Sequence, residues 1–244
     1  MVEIQDVYAS QQEALARLVL ERIDRVDAPV PACPGWTVRA VVAHVVGLAR
    51  DAVGGGLPVM DLLEQWRDDS VAGTRDAMTA AQVGLGADRS VEDLVAEWRE
   101  LTVTMTPMLR GTVPFPEPAP FGLSAIFVTD LTIHDQDVRG ALGATRATDG
   151  PGPSLALASY GFGVDYRIRQ LGLPALAVHY DGKERVLGGG EPGAAVSSDR
   201  FELVRAFGGR RSRAQILAYE WSGDPGPYLP LIPAYGEREE PLYE

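Results

Sequence analysis

Three residue types are scarce in this chain of 244 residues, which has one cysteine (Cys33), one lysine (Lys183) and three histidines. A lone cysteine excludes an internal disulfide, as is usual for proteins of a reducing compartment. No apolar run reaches the ~18 residues expected of a membrane-spanning helix. The first ten residues also lack the basic and apolar regions of a signal peptide. These absences predict a cytoplasmic protein that does not enter a membrane.

Positive charge is also scarce, because 22 lysines and arginines face 34 aspartates and glutamates, for a formal net charge of -12. Such a surface repels phosphate groups, so we expect no nucleic-acid partner. The hydrophobic fraction of 45% and the charged fraction of 23% are ordinary for a globular protein with a substantial core. Since domains cluster around ~100 to 200 residues, this length favours two domains.

Apolar residues recur at helical spacing through the first half of the chain. Thr37 is placed to cap one of the predicted helices, and Ser90 and Asp93 have the spacing of a capping box for another. Trp36, Trp66 and Trp98 most simply fill the core between these helices. The predicted helices occupy residues 6–26, 37–53, 58–82 (one or two helices), 90–109 and about 121–142.

The second half of the chain has a different pattern. Glycines and prolines crowd residues 143–154, which are predicted to link two domains. Beyond them, an Asp181-Gly182 turn between two short apolar segments predicts a β-hairpin, and residues 193–199 predict another strand. Helices are predicted at residues 154–172, 200–209 and 213–221, the last opened by a capping box of Ser212 and Gln215. The predicted fold is therefore α+β, with a helical bundle (1–148) followed by a small α+β domain (149–244).

Two ionisable residues share the apolar stripe of the helix predicted at about 121–142. Asp130 and His134 are four residues apart, so both side chains point toward the core. A buried carboxylate or imidazole without a partner is costly, and a divalent metal would supply the compensating charge. The i, i+4 spacing also lets two side chains of one helix reach a single ion.

His44 is the natural third ligand, because it lies among valines in the middle of the helix predicted at 37–53. Two histidines and one carboxylate leave a coordination position open, as in catalytic zinc sites, and the same set could hold iron. Two other interpretations stay open at this point. Asp130 and His134 could form a hydrogen-bonded pair in the core, and His44 could be a buried histidine with its own partner.

Other ionisable residues carry weaker signals. Cys33 is interpreted as structural, with the alternative that it lines a pocket. Asp137 could orient the ring of His134, or be a solvated acid or a partner of Arg139. His179 is expected at the surface or in packing. Four arginines could receive a substrate carboxylate, or could form ion pairs at helix ends and the surface. These four are Arg205, Arg210, Arg211 and Arg213.

Three segments, "CPGWTVRAVVAHVVG", "DLTIHDQDVRGALG" and "FELVRAFGGRRSRAQILAYEWSGDP", together resemble the mycothiol-dependent maleylpyruvate isomerase family. The likeness implies a DinB-like four-helix metal-binding bundle, followed by a small α+β domain similar to sterol-carrier folds. It also implies a zinc held by His44, Asp130 and His134. The family's carboxylate is usually glutamate, so the shorter Asp130 is expected to bind from farther away or through water. An active-site arginine of the second domain is implied as well, with Arg205 and Arg210 as the candidates.

The resemblance further implies the kind of chemistry. Mycothiol would be the thiol nucleophile or cofactor, and the substrate would be a small electrophile that bears a carboxylate. In an isomerase, thiol addition to a conjugated acid permits rotation about the former double bond before the thiol is eliminated; in a transferase, the thiol stays on the substrate. The alternatives are a thiol-independent metal enzyme of a specialised pathway and a non-catalytic ligand-binding module. We expect a monomer or a homodimer.

Overall fold

We analysed a computed structural model of the chain, which describes residues 3–58, 69–119 and 122–244, with the backbone alone at residues 69–72. The chain forms two compact units, Met1–Ala147 and Thr148–Glu244. Residues 59–68 of the segment predicted as one or two helices, Trp66 among them, and residue 121 lie outside the described residues. No helix in the described part of the chain is long and apolar enough to cross a membrane.

The first unit is a helical bundle. Helix α1 packs against α4 and α5, and α2 packs against α3, α4 and α5. The first predicted helix is too long, because α1 ends at Glu21 and a short 3-10 helix follows at Ile23–Arg25. Ile23, in this 3-10 helix, is 40% exposed. Within the described residues of this unit, the α-helices are α1 (Ile4–Glu21), α2 (Val38–Gly54), α3 (Asp69–Gly84), α4 (Val91–Leu109) and α5 (Leu123–Leu142).

Predicted caps and core residues fix the ends and the packing of these helices. The Thr37 side chain accepts a hydrogen bond from the Ala40 backbone N–H at 3.3 Å, and α2 begins at the next residue. Ser90 caps α4 in the same way, through the Asp93 N–H at 3.1 Å. Trp98 is fully buried, as predicted, and its indole N–H donates to the Tyr8 hydroxyl at 3.0 Å. A buried indole needs such a partner, so this bond fixes α4 against α1.

The second unit packs helices with a four-stranded sheet in the order β2-β1-β3-β4. Strands β1 and β2 form the predicted hairpin, with Asp181 and Gly182 both at positive φ, as a two-residue type I′ turn requires. Strand β3 runs parallel to β1, and β4 pairs antiparallel with β3. The elements are α6 (Pro151–Gln170), β1 (Ala175–Tyr180), β2 (Lys183–Leu187), β3 (Pro192–Ser197), α7 (Arg200–Phe207), α8 (Arg213–Leu217) and β4 (Glu220–Gly223).

The last predicted helix of the second unit is wrong in its length. The capping box is present, because Ser212 and Gln215 exchange side-chain and backbone hydrogen bonds at 3.1 and 3.3 Å. However, α8 ends at Leu217, and the Trp221 segment pairs with β3 as strand β4 instead. Pairing with an existing strand overrides the helical pattern of so short a segment. With helices and one mixed sheet, the α+β prediction is confirmed.

Candidate metal site

Helices α2 and α5 bring His44, Asp130 and His134 together. Asp130 Oδ2 lies 3.6 Å from His44 Nε2, and Asp130 Oδ1 lies 3.6 Å from His134 Nε2. One potential ligand atom from each of the three residues lies within 4.8 Å of the others. Both distances are too long for hydrogen bonds, so the structure does not have the direct Asp130–His134 hydrogen bond of the alternative interpretation. The two imidazole nitrogens instead flank one carboxylate.

The ring of His134 is held by Asp137. The two lie one helical turn apart on α5, and His134 Nδ1 is 3.1 Å from Asp137 Oδ2. The Asp137 side chain has no exposed surface, so it is not a solvated acid, and Arg139 pairs with Asp135 instead, at 2.8 Å. Since a carboxylate accepts hydrogen bonds, Nδ1 is the nitrogen of His134 that carries the hydrogen, and Nε2 faces Asp130.

The ring of His44 is held in the same way from another helix. Its Nδ1 lies 2.8 Å from the Gln82 side-chain oxygen on α3. The Gln82 amide nitrogen donates in turn to Asp51 Oδ2 at 2.6 Å. Asp51 follows His44 by seven residues on α2, which places both on one face of that helix. The nitrogen of His44 that faces Asp130 is therefore again Nε2.

A tight loop before α2 forms one side of this cluster. Backbone hydrogen bonds from Val30 to Trp36 and from Trp36 to Cys33 close the loop at 2.9 and 3.0 Å. The Trp36 ring lies nearly parallel to the His134 ring, with centroids 6.0 Å apart, and 5.3 Å from the His44 ring. Trp36 is only half-buried, so its prediction as a core residue is wrong. The tryptophan covers the two histidines instead.

Cys33 reaches the cluster from the same loop. Its thiol donates to Asp137 Oδ2 at 3.2 Å, and its sulfur lies 4.0 Å from His134 Nδ1. Cys33, His134 and Asp137 could also surround an ion. That arrangement would break the hydrogen bonds that Asp137 accepts from the ring and the thiol. The prediction that Cys33 is structural fits its role as a hydrogen-bond donor to Asp137.

The donor set around Asp130 fits a divalent cation. For a tetrahedral ion with bonds of about 2.0 to 2.1 Å, neighbouring ligand atoms lie about 3.4 Å apart, close to the two separations of 3.6 Å. Both outward nitrogens are hydrogen-bonded, as is usual for metal-bound histidines. The assignment of the three residues as metal ligands stays a prediction.

A tyrosine on α1 adds a neutral phenol near the carboxylate. Burial, first of all, and the charge of Asp130 raise the pKa of the Tyr8 hydroxyl far above its usual value. Tyr8 therefore stays protonated at physiological pH and adds no negative charge beside Asp130.

Comparison with known proteins identifies the first unit. A sequence profile of the mycothiol maleylpyruvate isomerase N-terminal domain matches residues 8–139, which is more than half of the chain. The chain belongs to this family. The family predicted from the three sequence motifs is thereby confirmed. The matched range includes Cys33, Trp36 and every residue of the His44–Asp130–His134 cluster.

Two solved structures are similar to this family member. One is a mycothiol-dependent maleylpyruvate isomerase, 16% identical, with a TM-score of 0.46 over 86% of this chain and 92% of that chain. The other is a histidine-to-alanine mutant of a mycothiol-dependent maleylpyruvate isomerase, 16% identical, with a TM-score of 0.45 over 91% of this chain and 96% of that chain. No curated protein sequence matches the chain.

In this family member, two buried arginines of the second unit, Arg205 and Arg211, form ion pairs. Arg205 is 1% exposed and pairs with the buried Glu244 carboxylate through two hydrogen bonds. Arg211 is also buried; it binds Glu202 at 2.6 and 2.8 Å and lies 3.6 Å from Glu244. Ion pairing, one of the two interpretations of this arginine cluster, therefore holds for both residues.

Arg213 and Arg210 are the more exposed members of the same cluster. Arg213 forms an exposed pair with Glu237 at 2.9 Å, which is an ion pair at a helix start rather than a ligand site. Arg210 is half-buried and donates to the Gly208 carbonyl at 2.8 Å. The assignment of Arg205 and Arg210 to an active site stays a prediction. His179 lies in β1 with its side chain 38% exposed, as expected of a surface residue.

Gln82 and Asp51 are the site residues that the sequence analysis missed. Gln82 lies in an alanine-rich segment of α3, where one amide carries no distinctive signal. Asp51 has one usable signal, since its spacing from His44 places both on the same face of α2. Trp36 was noticed but was assigned to the core.

Proposed function

We propose that this family member is a metal-dependent enzyme that uses mycothiol as its thiol nucleophile or cofactor. Its substrate would be a small electrophile bearing a carboxylate, which it either isomerises about a double bond or joins to the thiol. Its partners would be small molecules, in the cytoplasm, with no nucleic acid or membrane involved. The observation that carries the proposal is the convergence of His44, Asp130 and His134, with both Nε2 atoms 3.6 Å from the carboxylate.

His44, Asp130 and His134 would hold one divalent ion, most simply zinc. Three protein ligands leave a coordination position for an exogenous group, as in catalytic zinc sites. A bound divalent cation lowers the pKa of a coordinated thiol, so that the thiolate is present at neutral pH. The nucleophile is then supplied by the co-substrate, and Cys33 stays a structural thiol that donates to Asp137.

The surrounding residues would orient the reactants and limit the access of water. Trp36 covers one side of both imidazoles and presents an apolar surface next to the ligands. Asp137 and Gln82 hold the two rings in the tautomer that leaves each Nε2 toward Asp130. Arg205 and Arg210 of the second unit are the proposed partners of a substrate carboxylate, because guanidinium groups bind carboxylates through two hydrogen bonds. On Arg205, the substrate would have to replace the Glu244 carboxylate.

Metal content and thiol dependence test this function together. We expect about one zinc per chain in the purified wild-type protein, and loss of zinc in His44→Ala and in His134→Ala, measured by elemental analysis. His179→Ala is the matched control and should keep the metal, since His179 lies half-exposed on β1. Turnover of maleylpyruvate should require added mycothiol and should fall together with the metal. Retention of zinc in both ligand variants would reject the ligand assignment.

A split result would redirect the proposal. Zinc loss in both ligand variants, combined with turnover of an electrophile that does not depend on mycothiol, would favour a thiol-independent metal enzyme. Full metal binding with no thiol-dependent activity toward any conjugated acid would favour a ligand-binding module. Circular dichroism of each variant would show that the bundle is intact, so that metal loss is not read from an unfolded chain.

A further inference from the structure

We infer that Gln82 and Asp51 are positioning residues that fix the tautomer of His44 and so prepare it to bind a metal. The inference rests on the proposed function, because His44 is taken as a metal ligand. The observation is a chain of two short hydrogen bonds, from His44 Nδ1 to the Gln82 oxygen at 2.8 Å and from the Gln82 nitrogen to Asp51 Oδ2 at 2.6 Å.

Asp51 determines which way the Gln82 amide points. A carboxylate only accepts hydrogen bonds, so the end of the amide that faces Asp51 must be its NH2 group. The amide oxygen then faces His44 Nδ1, which must carry a hydrogen in order to donate. The proton of a neutral His44 is therefore on Nδ1, and Nε2 keeps the lone pair that a metal needs.

The packing of α2 against α3 is built around this contact. Gly47 follows His44 by three residues, and a Cβ at Gly47 would lie 2.7 Å from both Cβ and Cγ of Gln82. Real Cβ atoms essentially never come so close, so a side chain at this position would displace Gln82. Gln82 is itself 1% exposed. The glycine on α2 thus makes room for the buried Gln82 side chain on α3, which contacts His44.

His134 supplies a built-in comparison. Its Nδ1 hydrogen is held by Asp137 on the same helix, without help from Gln82 or Asp51. Both histidines should therefore carry their hydrogen on Nδ1 in the metal-free protein, but for independent reasons. A change at Gln82 or Asp51 should alter the tautomer of His44 and leave that of His134 unchanged.

The test begins with imidazole 15N NMR of the metal-free protein, at a pH where both rings are neutral. In the wild type, we expect the hydrogen on Nδ1 of His44 and of His134. Gln82→Leu removes the acceptor and keeps a similar volume, and Asp51→Asn lets the amide turn over. In each variant, we expect the Nδ1–H form of His44 to lose population while the His134 signals stay in place.

A double variant provides the rescue. Gln82→Glu combined with Asp51→Asn keeps the net charge and reverses the donor and acceptor between the two positions. A glutamate at position 82 can still accept from His44 Nδ1, and an asparagine at position 51 can donate to it. We expect the double variant to restore the Nδ1–H form, whereas Gln82→Glu alone places two carboxylates in contact and should not.

Zinc affinity, measured by competition with a chromogenic chelator, supplies the second measurement. Loss of an outer partner of a ligating histidine typically weakens binding about 10- to 100-fold, and we expect this for Gln82→Leu and Asp51→Asn, with recovery in the double variant. An unchanged His44 tautomer in both Gln82→Leu and Asp51→Asn would overturn the inference, as would an unchanged zinc affinity in these two variants. A wild type that binds no zinc but shows His44 with Nδ1–H would reject the proposed function alone. If Gln82→Leu does not fold, Asp51→Asn and the double variant still decide.

Discussion

The buried ion pair of Arg205 with Glu244 leads to a prediction for the stability of the second unit. The Arg205 and Glu244 side chains are 1% and 3% exposed, and the same carboxylate lies 3.6 Å from the buried Arg211. Glu244→Gln keeps the size of the side chain and removes the charge that faces both guanidinium groups. Breaking a buried pair by removing one partner costs about 3 to 5 kcal/mol, because the remaining charge stays buried.

A matched control lies in the same arginine cluster. The Arg213 and Glu237 side chains are 49% and 42% exposed, although their 2.9 Å contact equals that from Arg205 Nε to Glu244. Exposed pairs contribute about 0 to 1 kcal/mol, because water screens them. Glu237→Gln, the same substitution at an exposed position, should therefore be nearly neutral. The comparison isolates burial from distance, since both pairs join an arginine to a glutamate in one unit.

The assay is urea denaturation, with hydrogen–deuterium exchange in the peptides of α7 to resolve the second unit. We expect Glu244→Gln to lower the free energy of unfolding of this unit by about 3 kcal/mol, and Glu237→Gln to lower it by less than about 1 kcal/mol. Equal effects for the two variants would refute the reasoning from burial. A stabilised Glu244→Gln variant would refute it as well, and would indicate that the Arg205 site tolerates the absence of an internal carboxylate.

Three further predictions concern the first unit. Asp130→Glu lengthens a side chain whose carboxylate oxygens already lie 3.6 Å from the two histidine Nε2 atoms. Chelator competition should therefore show zinc affinity falling by about tenfold, or about 1.4 kcal/mol. Tighter zinc binding would show that the site is not built for aspartate. Asp137→Asn should weaken zinc binding about 10- to 100-fold, whereas the control Asp135→Asn, next to Arg139, should not; equal affinities would remove Asp137 from the site. Hydrogen bonds from Arg50, joined by Arg89, lower the pKa of the Glu97 carboxyl in the folded protein. The Glu97 carboxylate therefore stabilises the fold above its unfolded pKa of about 4.5, and this contribution is lost as the pH falls through the lower folded pKa. Glu97→Gln should thus cost about 1 kcal/mol at pH 7 in urea denaturation and nothing in strong acid, and a cost that persists in acid would contradict this.

Local spacing was enough to predict the part of the site that one helix supplies. Asp130 and His134 follow from the i, i+4 rule, and their shared apolar stripe indicated that they point inward. His44 was predicted because a histidine among valines in the middle of a helix needs a partner. The convergence of these three residues depends on how α2 packs against α5, which local spacing does not encode.

The missed features depend on contacts between segments that are distant in the chain. Gln82 contacts His44 only because Gly47 lets α3 approach α2 closely, and nothing within the α3 sequence indicates that approach. Trp36 is apolar and large, so a place in the core was the simplest expectation, but the tight loop before α2 directs its ring onto the histidines. The residues around Trp221 have a helical pattern, yet pairing with β3 makes them a strand.

The proposal depends most directly on where a bound ion lies. An anomalous difference map, recorded at the zinc absorption edge from crystals of the wild-type protein grown with zinc, would locate it. We predict one peak about 2.0 to 2.2 Å from His44 Nε2, from His134 Nε2 and from one oxygen of Asp130, with a non-protein ligand completing the coordination. A peak between Cys33, Asp137 and His134 Nδ1, or no peak near α2 and α5, would contradict the account.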